Sequence, residues 1–263
     1  MVNCSVILNT CDAYSDLWEG YFHLLKKYWP RLQYEIILNT ESKKFNVDGL
    51  NILFPPPPCN NKSWSDRLAT SLKTAKSDIV LLMMDDFYLR APVDDGMFSK
   101  ILQYMSENED VVSITFLNEP GITSKVVPEI EGFYYRKKVC QYKMTAHITL
   151  YRKDFLLNIL RKGESAWDFE INGSFRAAFT NKKFIGPKKS AKFVFQYDFG
   201  SLVVRGKYYK PVKEYFEKNE NVIFNGNRDT TDVLFERKKS CFKTGKLKYP
   251  IKMVCSLFKA KLK

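Results

Sequence analysis

The sequence predicts an α/β fold, with a mixed, mostly parallel sheet flanked by helices and a basic helical tail at the C-terminus. Three observations point there. Short apolar runs alternate with stretches of helical periodicity in the first part of the chain, the pattern of strands joined by crossover helices. Residues 79–84, IVLLMM, are apolar throughout, as a strand covered on both faces requires. Residues 237–263 hold ten Lys or Arg and no acid, so the other 236 residues carry 32 basic against 29 acidic side chains. The net charge of +13 therefore belongs mainly to a tail that touches something anionic.

Each element has its own signal. Residues 4–9 (CSVILN) read as the first strand. Residues 14–29 place Leu17, Tyr21, Leu24, Leu25 and Tyr28 at helical spacing, and Pro30 ends that helix. Residues 34–39 and 51–54 read as the next two strands, and Pro55 to Pro58 enforce an extended polyproline stretch. A helix over 64–76 stacks Trp64, Leu68 and Leu72 and leads into the strand 79–84. Beyond it the spacing predicts a helix over 97–106, a strand over 111–117 and a long loop over 118–132. A strand over 145–151 and helices over 153–161 and 165–179 come next. A basic loop (181–192), strands near 192–197 and 201–205, a helix over 211–218 and an irregular stretch (219–232) complete the body. No repeat and no clean linker divides it, so residues 1–236 are expected to form one domain and 237–263 a tail.

Composition excludes several classes. Apolar residues at 45% and charged residues at 27% are those of a folded protein, not a disordered, collagen-like or coiled-coil chain. No uncharged apolar run approaches the ~20 residues that span a bilayer. The N-terminus lacks the charged region and small-residue cleavage site of a signal peptide. The six cysteines are scattered, none in a CxxC, and only two histidines accompany them. That argues against zinc and for free thiols in a reducing cytoplasm.

Asp85-Asp86 directly follows the apolar strand 79–84. Such a strand delivers its last residues to the carboxyl edge of the sheet, where open α/β folds bind ligands. Two adjacent carboxylates repel each other there, unless one holds a divalent cation, Mn2+ or Mg2+, that neutralises a diphosphate. The alternative is a solvated strand end. Trp64-Ser65-x-Arg67 opens the preceding helix, whose free N–H groups and arginine fork suit phosphate. A capped helix with a core Trp64 and a surface Arg67 is the competing reading.

These runs resemble a known family. SWSDRLATSLKTAKSDIVLLMMDDFYLRAPVD (63–94) resembles the heart of GT-A-type nucleotide-sugar glycosyltransferases, in particular a bacterial group of surface-polysaccharide genes. TAHITLYRKDFLLNILRKGESAWDFEINGSFRA (145–177) is similar to that group's acceptor-side half, and VVRGKYY (203–209) also matches. The resemblance implies a nucleotide-binding half (1–95) and an acceptor half (96–236). It also implies an inverting hexosyl transfer from a UDP- or GDP-type sugar donor. The acceptor would be a glycan or lipid-linked glycan of capsule or lipopolysaccharide. The family's acidic motif is Asp-x-Asp, whereas here Phe87 takes the third place, which leaves Asp86 as the candidate metal ligand, in a single-carboxylate or a metal-independent site, and Asp85 beside the donor.

The resemblance also places a base and a nucleoside loop. An acceptor-side carboxylate at a helix start deprotonates the attacking hydroxyl. In Glu164-Ser165-Ala-Trp167-Asp168-Phe-Glu170 two acids compete for that task. Ser165 and Asp168 read as a capping box that occupies Asp168, so Glu170 is the first candidate and Asp168 the second. Trp167, Ile171, Ala178 and Phe179 are expected to pack inward. Thr10 and Asp12 lie in the loop that, by the resemblance, contacts the nucleoside, with an ordinary polar turn as the alternative and Glu41 a weaker candidate at the next strand end. His23 reads as structural, and His147 as a core histidine or a lining of the acceptor pocket.

The tail reading is independent of the resemblance. After Pro250, residues Ile251, Val254, Cys255, Phe258 and Leu262 fall on one helical face with lysines opposite, behind a polybasic stretch. A peripheral place at the inner face of the cell membrane follows as an expectation. A basic loop carrying Lys182, Lys183, Lys188, Lys189 and Lys192 faces either a diphosphate, lipid headgroups or solvent. The competing functions are a non-catalytic membrane- or nucleic-acid-binding protein and a nucleotidyltransferase. The first lacks a nucleic-acid-binding motif in its tail. The second lacks a glycine-rich basic loop after the first strand.

Overall fold

In the computed structural model, which describes residues 2–56, 63–188, 194–197, 201–233 and 256–257, the apolar runs of the first half become parallel strands. Strand β1 (Ser5–Asn9) is buried along its length. A 3-10 turn over Asp12–Leu17 leads into α1 (Trp18–Tyr28), so the helix expected from residue 14 begins as a tighter turn. Strands β2 (Glu35–Asn39) and β3 (Ile52–Leu53) follow, then α2 (Trp64–Thr74) and β4 (Ile79–Met84). Ser63 caps α2 by accepting from the Asp66 amide. Helix α3 (Asp95–Glu107) is capped by Asp94, and β5 (Val111–Thr115) comes next.

The second half departs further from the sequence expectations. The stretch expected to be a loop over 118–132 contains β6 (Ile122–Val126), which pairs with β7 (Phe133–Arg136) at the sheet edge. Ile-Thr-Ser-Lys-Val has no buried face there, so it lacked the alternation that marks a strand. The strand expected over 145–151 narrows to β8 (Thr149–Arg152), followed by α4 (Lys153–Ile159). The helix expected over 165–179 is interrupted. It runs as α5 (Ala166–Asp168), a π turn (Phe169–Gly173) and α6 (Ser174–Ala177). A π turn adds a residue to the turn and shifts the helix face by about 100°. Trp167 and Phe179, expected inside, are 73% and 67% exposed, while Phe169 is wholly buried.

The basic loop expected over 181–192 supplies β9 (Lys183–Pro187) to the sheet interior. Its Gly186 is required, because a Cβ there would lie 2.8 Å from the Thr115 methyl of β5. No strand forms over 194–197. Strand β10 (Val203–Val204), β11 (Lys207–Tyr209), α7 (Lys210–Glu220) and β12 (Thr230–Thr231) close the described body. Pro57, Pro58, Lys189, Lys192 and the tail 237–263, apart from the helical Ser256–Leu257, lie outside the described residues.

The nine-stranded sheet has the order β3-β2-β1-β4-β8-β5-β9-β7-β6. Strands β3, β2, β1 and β4 are mutually parallel, β8 and β7 run against the rest, and β5 and β9 are parallel to each other. The sheet is therefore continuous across the two expected halves, joined where β4 pairs with β8. Its core lies on both faces. Val6, Leu8, Ile36, Leu38, Leu81 and Met83 pack with α1 and α3, and Ile7, Ile37, Val80 and Leu82 with α2 and α4. That double coverage is why β4 reads as an unbroken apolar run. A small second sheet, β10-β11-β12, sits beside the carboxyl ends of β1 and β4.

Candidate active site

Parallel pairing sets Asn9 opposite Met84, so the residues just past them, Thr10 and Asp85, emerge side by side. The Thr10 hydroxyl donates to Oδ2 of Asp85. The Trp18 indole N–H donates to Oγ1 of Thr10 at 2.8 Å and lies 3.3 Å from the same Asp85 oxygen. Asp85 is 3% exposed and Asp86 7%. Burial pushes both carboxyls above the ordinary range, and the charge of Asp86 adds to the shift of Asp85. Oδ2 of Asp86 accepts from the Ser201 hydroxyl, while the Leu202 amide donates to its backbone oxygen at 2.7 Å. Oδ1 of Asp86 is buried without a partner. That oxygen fits a divalent cation as a single-carboxylate ligand. No group of three or more His, Cys, Asp or Glu among the described residues is placed to hold a metal by itself.

The other donor-side candidates form a bracket beside this pair. The Asp12 amide donates to Oε2 of Glu41 at 2.6 Å, and Oε1 of Glu41 lies 2.8 Å from Nη1 of Arg67. The Asp12 carboxylate accepts from the amides of Ser42 and Lys43. Asp12, Glu41 and Arg67 thus tie the loops after β1 and β2 to the first turns of α2. Trp64 stands apart from them, with its ring 5.2 Å from that of Phe169 on the π turn. Ser65 hydrogen bonds Glu164 in both directions, at 3.0 and 2.9 Å, so the start of α2 is fastened to the segment that carries the acceptor-side acids.

Within that segment the two acids separate. Ser165 and Asp168 form a reciprocal capping box, so the Asp168 carboxylate is engaged by its own helix start. Glu164 is wholly buried and paired with Arg176 at 2.7 Å. Glu170, on the π turn, points inward. Its Oε1 accepts from the Thr145 hydroxyl at 3.1 Å and the Ala146 amide at 3.0 Å. Burial raises its carboxyl above the ordinary value, against the opposing pull of His147. His147 has Nδ1 3.7 Å from Oε1 of Glu119, and its ring centroid is 5.0 Å from that of Phe87. The aromatic third position of Asp85-Asp86-Phe87 thereby sets the imidazole beside the acidic pair. His23 faces outward on α1.

Three residues of this region were not picked out from the sequence. Ser201 meets Asp86 across 115 positions. Arg228 forks onto Asp16 at 2.6 and 2.7 Å and lies 4.4 Å from the Tyr14 ring centroid, 212 positions from its partner. Glu119 sat in the stretch expected to be a loop. Its place just past β5, which runs in the same direction as β4, was the available clue.

No protein-family model and no curated protein matches the chain. Several solved structures are similar in backbone. TarS from S. aureus shares 15% identity over 72% of this chain and 36% of its own, with a TM-score of 0.49. The mannosyltransferase PcManGT from Pyrobaculum calidifontis, in complex with GDP-Man and Mn2+, shares 14% over 71% of this chain and 55% of its own, with a TM-score of 0.49. Glucosyl-3-phosphoglycerate synthase from Mycobacterium tuberculosis, in complex with Mn2+ and UDP-Glc, shares 12% over 66% and 64%, with a TM-score of 0.43. The chain thus spans between 36% and 64% of the length of these structures. Among the described residues no helix is long and apolar enough to cross a membrane.

Proposed function

We propose that the chain is an inverting glycosyltransferase. It would move a hexose-type sugar from a UDP- or GDP-type donor to a glycan or lipid-linked glycan of surface polysaccharide, such as capsule or lipopolysaccharide. The observation that carries this reading is the buried Asp85–Asp86 pair at the carboxyl end of β4, with one Asp86 oxygen unpartnered and a raised-pKa carboxylate, Glu170, on the neighbouring segment. Two adjacent buried carboxylates are costly unless a ligand uses them.

In this reading Thr10, Asp12, Trp64, Arg67 and Asp85 belong to the donor side. Thr10 and Trp18 fix the Asp85 carboxylate, and the Asp12–Glu41–Arg67 bracket shapes the nucleoside edge. Asp86 would hold Mn2+ or Mg2+ through its unpartnered Oδ1. Such a cation neutralises charge on a departing diphosphate. Glu170 takes the proton from the attacking acceptor hydroxyl, and burial, which raises its carboxyl, makes it a stronger base than an exposed carboxylate. Asp168 serves the helix start. The basic tail 237–263 holds the enzyme at the anionic inner face of the membrane, where a lipid-linked acceptor lies.

Thermal shift with UDP and GDP, with and without Mn2+, tests the donor site. A stabilisation by one nucleotide that grows with Mn2+ is expected. A protein that ignores both nucleotides but responds to an oligonucleotide with steep salt dependence has another function.

A further inference from the structure

Around His147 the fold gathers more acid than base. Glu119 is 3% exposed, with one oxygen facing His147 and the other, Oε2, buried without a partner. Asp86 and Glu170 both lie within electrostatic reach of the same imidazole, and Glu119 within reach of Glu170. Nδ1 of His147 is buried without a hydrogen-bond partner, while the side chain as a whole keeps 28% exposure. The guanidiniums in the neighbourhood are engaged elsewhere. Arg136 donates to the carbonyls of Pro120, Gln141 and Tyr142, and Arg228 pairs with Asp16. No lysine or arginine among the described residues pairs with Glu119 or Glu170.

A carboxylate oxygen only accepts hydrogen bonds, and a buried one without a partner is costly. A group that relieves Oε2 of Glu119 brings an O–H or N–H donor, and the acids gathered around His147 repel one that also carries negative charge. We propose that Glu119, His147 and Glu170 form the acceptor subsite. It selects uncharged or amino-bearing sugars over acceptors with a carboxylate or phosphate on the reacting sugar. This deepens the glycosyltransferase reading above and rests on it. Glu119 binds a hydroxyl next to the attacking one and takes no proton, whereas Glu170 receives the proton of the attacking oxygen.

The test offers methyl hexopyranosides, methyl hexopyranosiduronates and hexose 6-phosphates as acceptors, with whichever sugar nucleotide the wild-type protein turns over. Products are read by mass spectrometry. The expected result is a kcat/KM for neutral glycosides at least about tenfold above that for either anionic class. Glu119→Gln keeps the shape and removes the charge. It should raise the acceptor KM, not the donor KM, and narrow the discrimination against anions. His147→Gln, read by the same discrimination, covers the case in which the first variant does not fold. Anionic acceptors used as well as neutral ones overturn the proposal, as does transfer to none of the neutral glycosides. Unchanged acceptor KM and discrimination in both variants also overturn it. A wild-type protein that turns over no sugar nucleotide sinks the glycosyltransferase reading itself, and the subsite with it.

Discussion

One oxygen of Asp86 accepts from the Ser201 hydroxyl, and the other is buried without a partner. Asp86→Asn keeps the volume and removes the charge. We expect at least a hundredfold loss of sugar-nucleotide turnover, about 3 kcal/mol of barrier, with the fold retained. The same pair sets a pH dependence of stability. Both folded-state carboxyls titrate above their unfolded values, so the folded chain binds those protons more tightly. Stability contributed by the bound protons is present at low pH and falls as pH rises through the folded values. The melting temperature of metal-free protein should decrease on that rise, and Asp86→Asn should flatten the profile. A steeper profile in the variant contradicts the assignment. For Glu170→Gln the loss should fall on turnover, by about 10²–10⁴-fold, and not on nucleotide affinity. At this scale the acids following apolar strands and helix starts were legible, because strand direction alone places them. Ser201 and Arg228 were not, since their partners lie far away in sequence and no local pattern encodes such contacts; Glu119 follows β5 but was masked by the polar stretch expected to be a loop.

The helical stretch 166–177 shows how local chemistry and tertiary packing divide the work. Ser165 and Asp168 cap its start as the sequence reads. The π turn over Phe169–Gly173 was not legible, because it answers to packing. Phe169 meets Trp64, while Glu170 meets Thr145 and Ala146. Ser165→Ala and Asp168→Ala should each cost about 1 kcal/mol of stability, measured by urea unfolding, and leave turnover within a few-fold of wild type. If Asp168→Asn abolishes turnover without loss of stability while Glu170→Gln stays active, the base is Asp168. Strands β6 and β9 escaped sequence reading for related reasons. The first is an exposed edge, and the second is a short apolar run among lysines whose burial comes from β5 and β7.

Charge distribution organises the whole molecule. The body is nearly balanced, and the excess sits in residues 237–263. Exposed lysines near an anionic surface contribute about 1 kcal/mol each and are screened by salt. Full-length protein should co-sediment with anionic vesicles at about 0.15 M salt and be released at about 1 M, and a chain ending at residue 236 should not co-sediment. Full-length protein left in the supernatant at the lower salt contradicts the membrane reading. The proposed donor-side residues lie in the body, so nucleotide binding should survive that truncation. The central claim, that this body transfers sugar from a nucleoside diphosphate, is tested most directly by nucleotide release. UDP-Glc, UDP-GlcNAc and GDP-Man are incubated with wild-type protein and with Asp86→Asn in Mn2+, and freed UDP or GDP is counted. The account predicts release from at least one donor by wild-type protein and a drop of at least about a hundredfold in the variant. Equal release by both proteins, or no binding and no release with any donor, would contradict it.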